Sequence, residues 1–456
     1  MHDELSLILY MLKRRLGMKM LSRKISHVIM SLTITALLFS LTLPVLSQAA
    51  EEVIPPCFNE SELAQVREWE KTWVGKRVNG TNVDQVKDLL PEWLVSMMKE
   101  PEKWGAKELW FDVVPYRYCT PSKGMLEATK KYSPQTKFDP KGYKATWGEI
   151  KPNELLEGYM DGKTAGYPFP KPKTGLEMAW NFDANTLGDN HSKEVFGPVV
   201  NPRTGAERHS RQPQTYMYWT GRVDVAPTPV LPNNTQKLRR SMYQQIIEPT
   251  DMYGTNFLEL IYSDQTKESN SFIWVAMYRR IRRMSSSQRG DTIDGTDHCY
   301  ADGWAYADQI NRQNFKFLEV REMLANRHQD GNNMTKQKGQ AFWSGQQRER
   351  TKLYLVEAVC KDPDFVYSKE LWYLDGETWM MEYKQIWDKK GKLWRCNDVQ
   401  VGYLTSIQGN PVPFPVGYNY VDIQRYHGEP NRARYPKFGI ECNREMFTVQ
   451  YLQKGF

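Results

Sequence analysis

Residues 371–396 (LWYLDGETWMMEYKQIWDKKGKLWRC) alternate apolar and polar side chains with the period of a β-strand. From Trp379 the odd positions read Trp379, Met381, Tyr383, Gln385 and Trp387, and charged residues lie between them. A period of two is typical of a half-exposed strand. Turn-forming residues at 375–376 and 388–391 interrupt the alternation. The segment therefore predicts a three-stranded antiparallel meander over 371–374, 379–387 and 392–396, with one strongly aromatic face.

Further strand-like runs, most of them separated by turn-forming residues, follow a short helical signal in the second part of the chain. They lie at 215–225, 257–262, 272–283, 352–359 and 446–452. Helical signals are fewer: residues 61–73 with Ser61 as N-cap, residues 83–99, and residues 175–182. Many antiparallel strands with few long helices favour a mainly β (α+β) fold. In such a fold a large sheet is curled or closed into a barrel, and helices pack on one side.

The first 49 residues have the layout of an export signal. Six basic residues between Lys13 and Lys24 precede an apolar run over 28–46, and small residues stand before Ala50. Ser, Thr and Pro44 interrupt the apolar run, so we expect cleavage before Ala50 rather than retention as an anchor. The mature chain would then contain about 407 residues (456 minus 49).

Charge and cysteine content limit the classes of function. The net charge is +7, and the leader contributes +4 of it, which leaves about +3 for the mature chain. This small excess argues against a nucleic-acid partner. Six cysteines in an exported chain permit up to three disulfides. Cys360 and Cys396 flank the meander, and we expect them to approach disulfide distance.

One loop resembles a catalytic or metal site in its composition. His298 lies in IDGTDHCYADGWAYAD, with Asp294, Asp297 and Asp302 close in sequence. The spacing matches no zinc or calcium pattern, which favours a polar turn with a surface histidine. The chain also lacks G-x-S-x-G, H-E-x-x-H, P-loop and G-x-G-x-x-G motifs. The sequence thus predicts no catalytic residues, no metal site and no cofactor.

Four arginines form the densest charge of the mature chain: Arg279, Arg280, Arg282 and Arg283. They could contact lipid headgroups or an acidic partner. A strand would otherwise place Arg280 and Arg282 on one face and the other two on the opposite face, where nearby acids would pair with them. We favour this structural interpretation, because charge runs are usually solvated faces.

Aromatic residues are the most informative class, with 15 Trp, 25 Tyr and 17 Phe. They could be the core and cross-strand pairs of an ordinary sheet. Alternatively, one face of the curved sheet forms an apolar trough for a hydrophobic ligand. In the second interpretation, the ligand-binding residues would be Trp274, Tyr278, Trp379, Met381, Tyr383 and Trp387.

Three blocks, in this order, resemble a bacterial family called domain of unknown function 1329: AGYPFPKPKTGLEMAWNF, FIWVAMYRRIRRMSSSQRGDTIDG and LWYLDGETWMMEYKQIWDKKGKLWRC. They match the family patterns at 166–172, 175–181, 279–282 and 373–395. The resemblance covers most of the chain from about residue 60 onward. The loop at 297–308 departs from the acidic and aromatic pattern expected there.

That family is similar to LolA and LolB, the outer-membrane lipoprotein-sorting proteins. The resemblance implies an incomplete, LolA-like antiparallel barrel with helices packed in or over its open side, and an apolar cavity for acyl chains. It also implies a periplasmic protein, peripheral to the outer membrane. The implied partners are a lipid or hydrophobic small molecule, an outer-membrane protein and an exporter of the resistance-nodulation-division type.

The predicted organisation has three parts. A cleaved signal peptide occupies 1–49, a helical and loop-rich part at 50–165 wraps the sheet, and an antiparallel half-barrel occupies 166–456; the last two form one continuous domain. The predicted function is a non-enzymatic carrier or chaperone for hydrophobic molecules. Two alternatives remain: a non-catalytic adaptor subunit of an envelope transport complex, and a secreted hydrolase that uses Asp297 and His298.

Overall fold

A computed structural model describes residues 53–138, 143–144, 155–156, 160–161, 164–264, 267–293 and 295–454. The predicted signal segment at 1–49 lies outside the described residues. Residues Val53–Phe456 form one compact unit. Among the described residues, no helix is long and apolar enough to cross a membrane.

Four α-helices lie in the described chain: α1 (Glu60–Trp73), α2 (Glu92–Lys99), α3 (Lys123–Tyr132) and α4 (Gly175–Asp183). Helix α1 begins one residue earlier than predicted, because Asn59 rather than Ser61 is the N-cap and forms a capping box with Glu62. Within the segment predicted as a helix at 83–99, the α-helix begins only at Glu92. Pro91 stands at its N-cap, and the restriction that proline places on the preceding residue separates this helix from two 3-10 turns before it.

Short 3-10 helices are found at Val83–Gln85, Lys87–Leu89, Pro101–Trp104, Ser133–Gln135, Thr250–Met252, Ala276–Tyr278, Ser286–Gly290, Tyr300–Ala305, Ile310–Arg312, Arg444–Phe447 and Tyr451–Gln453. The last two occupy the region where a strand was predicted at 446–452. That prediction is wrong, because Phe447 and Leu452 pack onto strands of the sheet instead of pairing with one. Tertiary packing has overridden the β-propensity of this segment.

The strands of the described chain are β1 (Arg77–Asn79), β2 (Trp110–Val113), β3 (Lys137–Phe138), β4 (Tyr143–Lys144), β5 (Leu155–Leu156), β6 (Met160–Asp161), β7 (Asn190–Asn201), β8 (Ala206–Tyr218), β9 (Leu238–Gln245), β10 (Asn256–Tyr262), β11 (Asn270–Val275), β12 (Arg280–Met284), β13 (Gln313–Ala325), β14 (Gln346–Cys360), β15 (Lys369–Asp375), β16 (Met381–Trp387), β17 (Leu393–Thr405), β18 (Pro411–Asp422) and β19 (His427–Phe438). The predicted meander is β15–β16–β17. The predicted single strand at 272–283 is a hairpin of β11 and β12.

Fifteen strands form one sheet in the order β1-β2-β14-β15-β16-β17-β18-β19-β7-β8-β9-β10-β11-β12, and β13 pairs with β14. Strand β2 runs parallel to the start of β14, and the other strand pairs of this sheet in the described chain are antiparallel. Its two ends do not pair with each other, so the sheet is not closed into a barrel. The mainly β class and the large open antiparallel sheet are confirmed.

Both faces of the sheet are covered, by different parts of the chain. On one face, here called the outer face, residues such as Leu355 and Val421 pack against Trp73 of α1 and Leu94 of α2. The opposite face, the inner face, packs Val356 and its neighbours against α4 and α3. Successive strand residues point to opposite faces, so the two clusters are separated by the sheet itself.

A buried ionic network fixes the turn between β15 and β16. Arg327, which is 1% exposed, pairs through Nε with Asp375 Oδ2 at 2.7 Å and through its other nitrogens with Glu377 and Glu349. Breaking such a pair from one side leaves an uncompensated buried charge. The network therefore holds the turn, and the tryptophan at its end, in one position.

Candidate functional site

The inner face of β17, β18, β19 and β7–β11 is the floor of a cavity of about 310 Å³. Asn397 and Tyr420 line it, whereas their chain neighbours Cys396 and Val421 belong to the outer-face cluster. Residues 284–312, here called the cover segment, close the cavity from the other side; residue 294 within it is not described. This arrangement gives a partly open space between a sheet and a single chain segment.

The floor combines apolar and amide side chains on neighbouring strands. Val195 of β7 lies opposite Gln212 of β8, and both line the cavity. The Tyr216 hydroxyl donates to Gln214 Oε1 at 3.0 Å, and Gln214 Nε2 donates to Gln244 Oε1 at 2.6 Å. These bonds, one within β8 and one from β8 to β9, satisfy buried polar groups within the wall. The cavity can therefore accept a largely apolar ligand and still offer a few hydrogen-bonding groups.

Two basic side chains, Lys193 and Arg240, form a polar end of this floor. Lys193 is 5% exposed, with Nζ 5.9 Å from the centre of the Tyr216 ring and 5.5 Å from that of Phe414. Arg240 Cζ lies 5.8 Å from the same Tyr216 ring, and its guanidinium is 3.5 Å from Glu259. Burial, reinforced by Arg240, lowers the pKa of Lys193 well below its usual value. A ligand with a polar group would meet hydrogen-bond donors here.

A second cavity of about 140 Å³ adjoins the first. The two share five lining residues: Arg240, Ser269, Ala307, Asp308 and Gln309. The second cavity extends beneath the end of α4, past Phe182 and Tyr306. Together the two cavities form an elongated space along the inner face, which suits an elongated ligand better than a compact one.

The cover segment is fixed to the sheet through Asp302. Lys384 Nζ of β16 lies 2.9 Å from Asp302 Oδ1, and the hydroxyls of Tyr367 and Tyr420 donate to Oδ2 at 2.5 and 2.8 Å. Burial alone would raise the pKa of Asp302, but Lys384 and the Tyr367 hydrogen bond overcome it and hold the pKa well below its usual value. The carboxylate is thus ionised and multiply bonded, which makes it a strong tether for the 3-10 helix Tyr300–Ala305.

A second tether lies at His298. Its Nδ1 is 2.5 Å from Glu429 Oε2 of β19, and the same carboxylate accepts the backbone N–H of Asp297. Burial lowers the pKa of His298, but the Glu429 carboxylate outweighs this and raises it. Burial, Glu429 and Asp422 raise the pKa of Asp297 to about 6. The prediction of a surface histidine is wrong, since this side chain is 23% exposed and ion-paired.

The described contacts of the His298 ring are dominated by one carboxylate. The ring bonds to Glu429, and the hydrogen bonds of the described residues include none between that ring and a serine, threonine or cysteine side chain. Nor do the described residues contain a group of three or more His, Cys, Asp or Glu side chains that could hold a metal ion. The contacts that the structure shows for this loop hold it to the sheet, through His298 and Asp302.

The ligand-facing wall predicted for the meander is not formed. Trp379 and Met381 are buried in the inner-face cluster, whereas Tyr383 is buried in the outer-face cluster. The reason is a β-bulge: Tyr373 pairs with Tyr383 and Leu374 with Met381, so Glu382 is an extra residue that reverses the alternation. Trp387, the fourth residue, is half-buried against Lys369.

The two other predicted ligand-binding residues lie apart from these. Trp274 of β11 packs in a cluster with Phe447 and Leu452 on the outer face, and Tyr278 is 58% exposed at a hairpin turn. None of the six predicted residues lines either of the two cavities. The floor was missed because β7 and β8 carry polar residues at alternate positions, such as Ser210, Gln212 and Gln214, which do not resemble an apolar trough.

The four predicted contact arginines form no ion pair with the described residues. Arg280, Arg282 and Arg283 are exposed on β12, and Arg279 is exposed in the turn before it. Arg283 bonds to Asn270, and Arg282 lies over the Tyr278 ring at 5.7 Å. The expectation that nearby acids pair with them is therefore wrong for the described chain.

The predicted cysteine pair is also separated. All six cysteines are free thiols. Cys360 lies on β14 and Cys396 on β17, with β15 and β16 between them. Three strand spacings place them roughly 14 Å apart, well beyond the roughly 7 Å that a disulfide permits.

Comparison with known proteins identifies a family. The sequence pattern of the family described as "Protein of unknown function (DUF1329)" matches residues 77–453. No curated protein matches the chain.

Solved structures with a similar arrangement are distant in sequence. One is a domain from Vibrio parahaemolyticus named for outer membrane lipoprotein sorting, with 14% identity and a TM-score of 0.45 over 61% of this chain and 98% of that one. A DUF1329 family protein from Desulfovibrio piger has 11% identity and a TM-score of 0.45 over 61% and 97% of the two chains. A LolA superfamily protein from Nitrosomonas europaea has 12% identity and a TM-score of 0.40 over 61% and 100%.

Proposed function

Because the chain belongs to the DUF1329 family, whose description assigns no activity, we propose from the site itself that the protein is a carrier that binds a lipid or another hydrophobic molecule on its inner face. The observation behind this proposal is the cavity of about 310 Å³ between the sheet and the cover segment. Ligand sites of this kind are enclosed, partly apolar and furnished with a few placed polar groups. No covalent step is needed for such a function.

The composition of the walls favours an amphiphile as the ligand. Val195, Val199 and Met242 offer apolar surface, and Lys193 and Arg240 offer hydrogen-bond donors at one end. Burying roughly 300 Å² of apolar ligand surface would contribute about 7 kcal/mol. Ordering and desolvation subtract from this value, so we expect micromolar rather than nanomolar affinity for a single-chain lipid.

In this proposal the protein acts in the periplasm, close to the outer membrane. It would receive its ligand from, or deliver it to, an outer-membrane protein or an exporter of the resistance-nodulation-division type. The tethers at Asp302 and His298 hold the cover segment over the cavity, and in this proposal their release widens the entrance for the ligand. A tethered cover suits transport through water, since it shields part of an apolar ligand from solvent.

The experiment fills the cavity and measures binding. Val195→Trp places a large side chain in the space above β7, so we expect palmitate binding, measured by displacement of a fluorescent fatty acid, to weaken at least tenfold. Val359→Trp is the matched control, because Val359 is 37% exposed and lies outside both cavities. Both variants should keep a melting temperature near that of the wild type.

Three results would contradict the carrier. The first is that the wild-type chain binds no fatty acid, phospholipid or other amphiphile. The second is that Val195→Trp binds as well as Val359→Trp. The third is that protein recovered from its native envelope contains no lipid but a stoichiometric membrane-protein partner, which would support the adaptor alternative instead.

A further inference from the structure

The hairpin of β11 and β12 carries a concentrated positive charge at the edge of the sheet. From Asn270 to Gly290 the sequence contains five arginines and no aspartate or glutamate. Four of these arginines, at 279, 280, 282 and 283, are exposed. Strand β12 is the last strand in the sheet order, so this hairpin projects its charge from an edge rather than from a packed face.

The tip of the same hairpin is apolar. The turn is the 3-10 helix Ala276–Tyr278, closed by Arg279 in the left-handed conformation with φ of 49°. Met277 is 72% exposed and Tyr278 is 58% exposed. Large apolar side chains with this exposure are uncommon in the rest of the described chain, and here two of them stand side by side. An apolar tip ringed by arginines is the pattern of a surface that meets lipid.

Protection of a sheet edge explains only part of this pattern. Charged side chains on an edge strand prevent it from pairing with other chains, which would account for Arg280 and Arg282 on β12. It does not account for the exposed Met277 and Tyr278, because exposed apolar residues at an edge promote association. The combination requires a partner that is both anionic and apolar.

We propose that this hairpin docks the protein on an anionic membrane surface. Met277 and Tyr278 enter the headgroup layer, and the arginines contact lipid phosphates, to which guanidinium groups bind in a bidentate manner. The base of the hairpin lines the cavity through Ser271 and Met284. Docking therefore brings the cavity next to the bilayer. The inference does not depend on what the cavity binds.

The experiment measures co-sedimentation of the full-length chain with vesicles. Vesicles of phosphatidylcholine alone are compared with vesicles that also contain phosphatidylglycerol. Each arginine near an anionic surface strengthens binding about fivefold, and partial screening reduces the combined effect of four. We expect at least a 30-fold loss of partitioning to the anionic vesicles when the four arginines are changed together: R279Q, R280Q, R282Q and R283Q. The change of Met277 and Tyr278 to serine should lower partitioning about tenfold.

A second basic hairpin turn supplies the matched control. Lys389, Lys390 and Lys392 are exposed in the turn between β16 and β17, and Lys437 is exposed on β19. Changing these four to glutamine removes the same charge, and we expect it to alter partitioning by less than threefold. Residues 1–52 are identical in every variant, so any contribution from them cancels. If the fourfold arginine variant misfolds, R279Q with R280Q alone should still lose about tenfold.

Two outcomes would overturn the proposal. One is equal partitioning of the arginine and lysine variants, which would mean that binding depends on the net charge of the protein and not on this hairpin. The other is that the wild-type chain does not bind phosphatidylglycerol vesicles. This result counts against the proposal even if the same arginines crosslink to an acidic protein. Palmitate binding should be unchanged in the hairpin variants, so failure of docking and failure of the carrier function are separable.

Discussion

The tether at Asp302 allows a sharp test of how the cavity opens. Asp302→Asn keeps the shape of the side chain and removes its charge. The carboxylate accepts hydrogen bonds from Lys384, Tyr367, Tyr420 and the backbone N–H of Cys299, and the asparagine oxygen can replace only part of them. The change therefore weakens the attachment of the cover segment to the sheet without creating a void.

The size of the effect follows from burial. The side chains of Asp302 and Lys384 are both fully buried, and removing one partner of a buried ion pair costs about 3–5 kcal/mol. Lys384 retains Glu370 at 3.1 Å, so we expect the lower value, about 3 kcal/mol. This corresponds to an increase of about 100-fold in the opening equilibrium of the cover segment. The pKa of Asp302 is lowered, so its contribution is lost only in strong acid, and the effect should be the same at pH 6 and pH 8.

Native-state hydrogen exchange measures this opening. The amides of Asp302 and Ala307 bond to the carbonyls of Cys299 and Ala301 and report on the cover segment. We expect them to exchange about 100-fold faster in the variant, with little dependence on urea, because local opening exposes little surface. Asp84→Asn, at an exposed ion pair with Lys99, is the control and should change exchange less than threefold.

The prediction would be refuted if hydrogen exchange at the amides of the cover segment accelerated only together with exchange at the amides of β14, and with the same urea dependence. The cover segment and the sheet would then unfold together. Entry into the cavity would require another route.

Four further predictions concern pH, packing and thiols. Because the folded-state pKa values of His298 and Asp297 are both raised, the folded protein binds more protons than the unfolded chain. The contribution of His298 and Asp297 to stability is therefore lost as the pH rises through their folded-state pKa values. We expect His298→Gln to reduce the fall in melting temperature between pH 6 and pH 8. Trp379→Arg should lower the free energy of unfolding by about 3–5 kcal/mol in urea titrations, because Trp379 is 2% exposed and packs on Tyr354 at 5.3 Å; a stable variant that merely loses ligand would show that the side chain faces a cavity. Gly428→Ala should destabilise by about 1–3 kcal/mol, because the added Cβ would lie 2.1 Å from the Ala341 carbonyl oxygen; an unchanged midpoint in urea would show that the loop at Ala341 can move away from β19. Thiol titration of the denatured, unreduced protein should find six free thiols, and a smaller number would reveal a disulfide.

Local sequence patterns were sufficient for several elements. Strand alternation and turn residues located the meander, and the helical signal at 175–182 located α4, which the structure shows capped by Thr174 and Ala184. The first α-helix was located to within one residue. These elements are determined by interactions between residues near each other in the chain, such as capping boxes and hairpin turns, which a pattern can represent.

Elements that depend on distant contacts were not located in this way. Nothing at Arg279 resembles a turn, because no glycine, proline or asparagine is present, yet the chain reverses there in the left-handed conformation. The segment 446–452 has the composition of a strand, but it forms short helices whose Phe447 and Leu452 pack on the sheet. In both cases the alternative conformation is stabilised by the surrounding structure rather than by local preference.

The sequence by itself determined the fold class, the aromatic meander, the helix α4 and the block of arginines without acids, because each is a property of composition or of a short-range period. Only the tertiary structure decided which side chains share a space. A single bulge residue, Glu382, sends Met381 and Tyr383 to opposite faces, and the pairing of β19 with β7 and β8 brings together floor residues that are more than 200 positions apart in the chain, such as Val195 and Glu429. The physical reason is that a cavity is made by long-range register: a shift of one residue in one strand reverses every side chain beyond it, and no local pattern records where such a shift occurs.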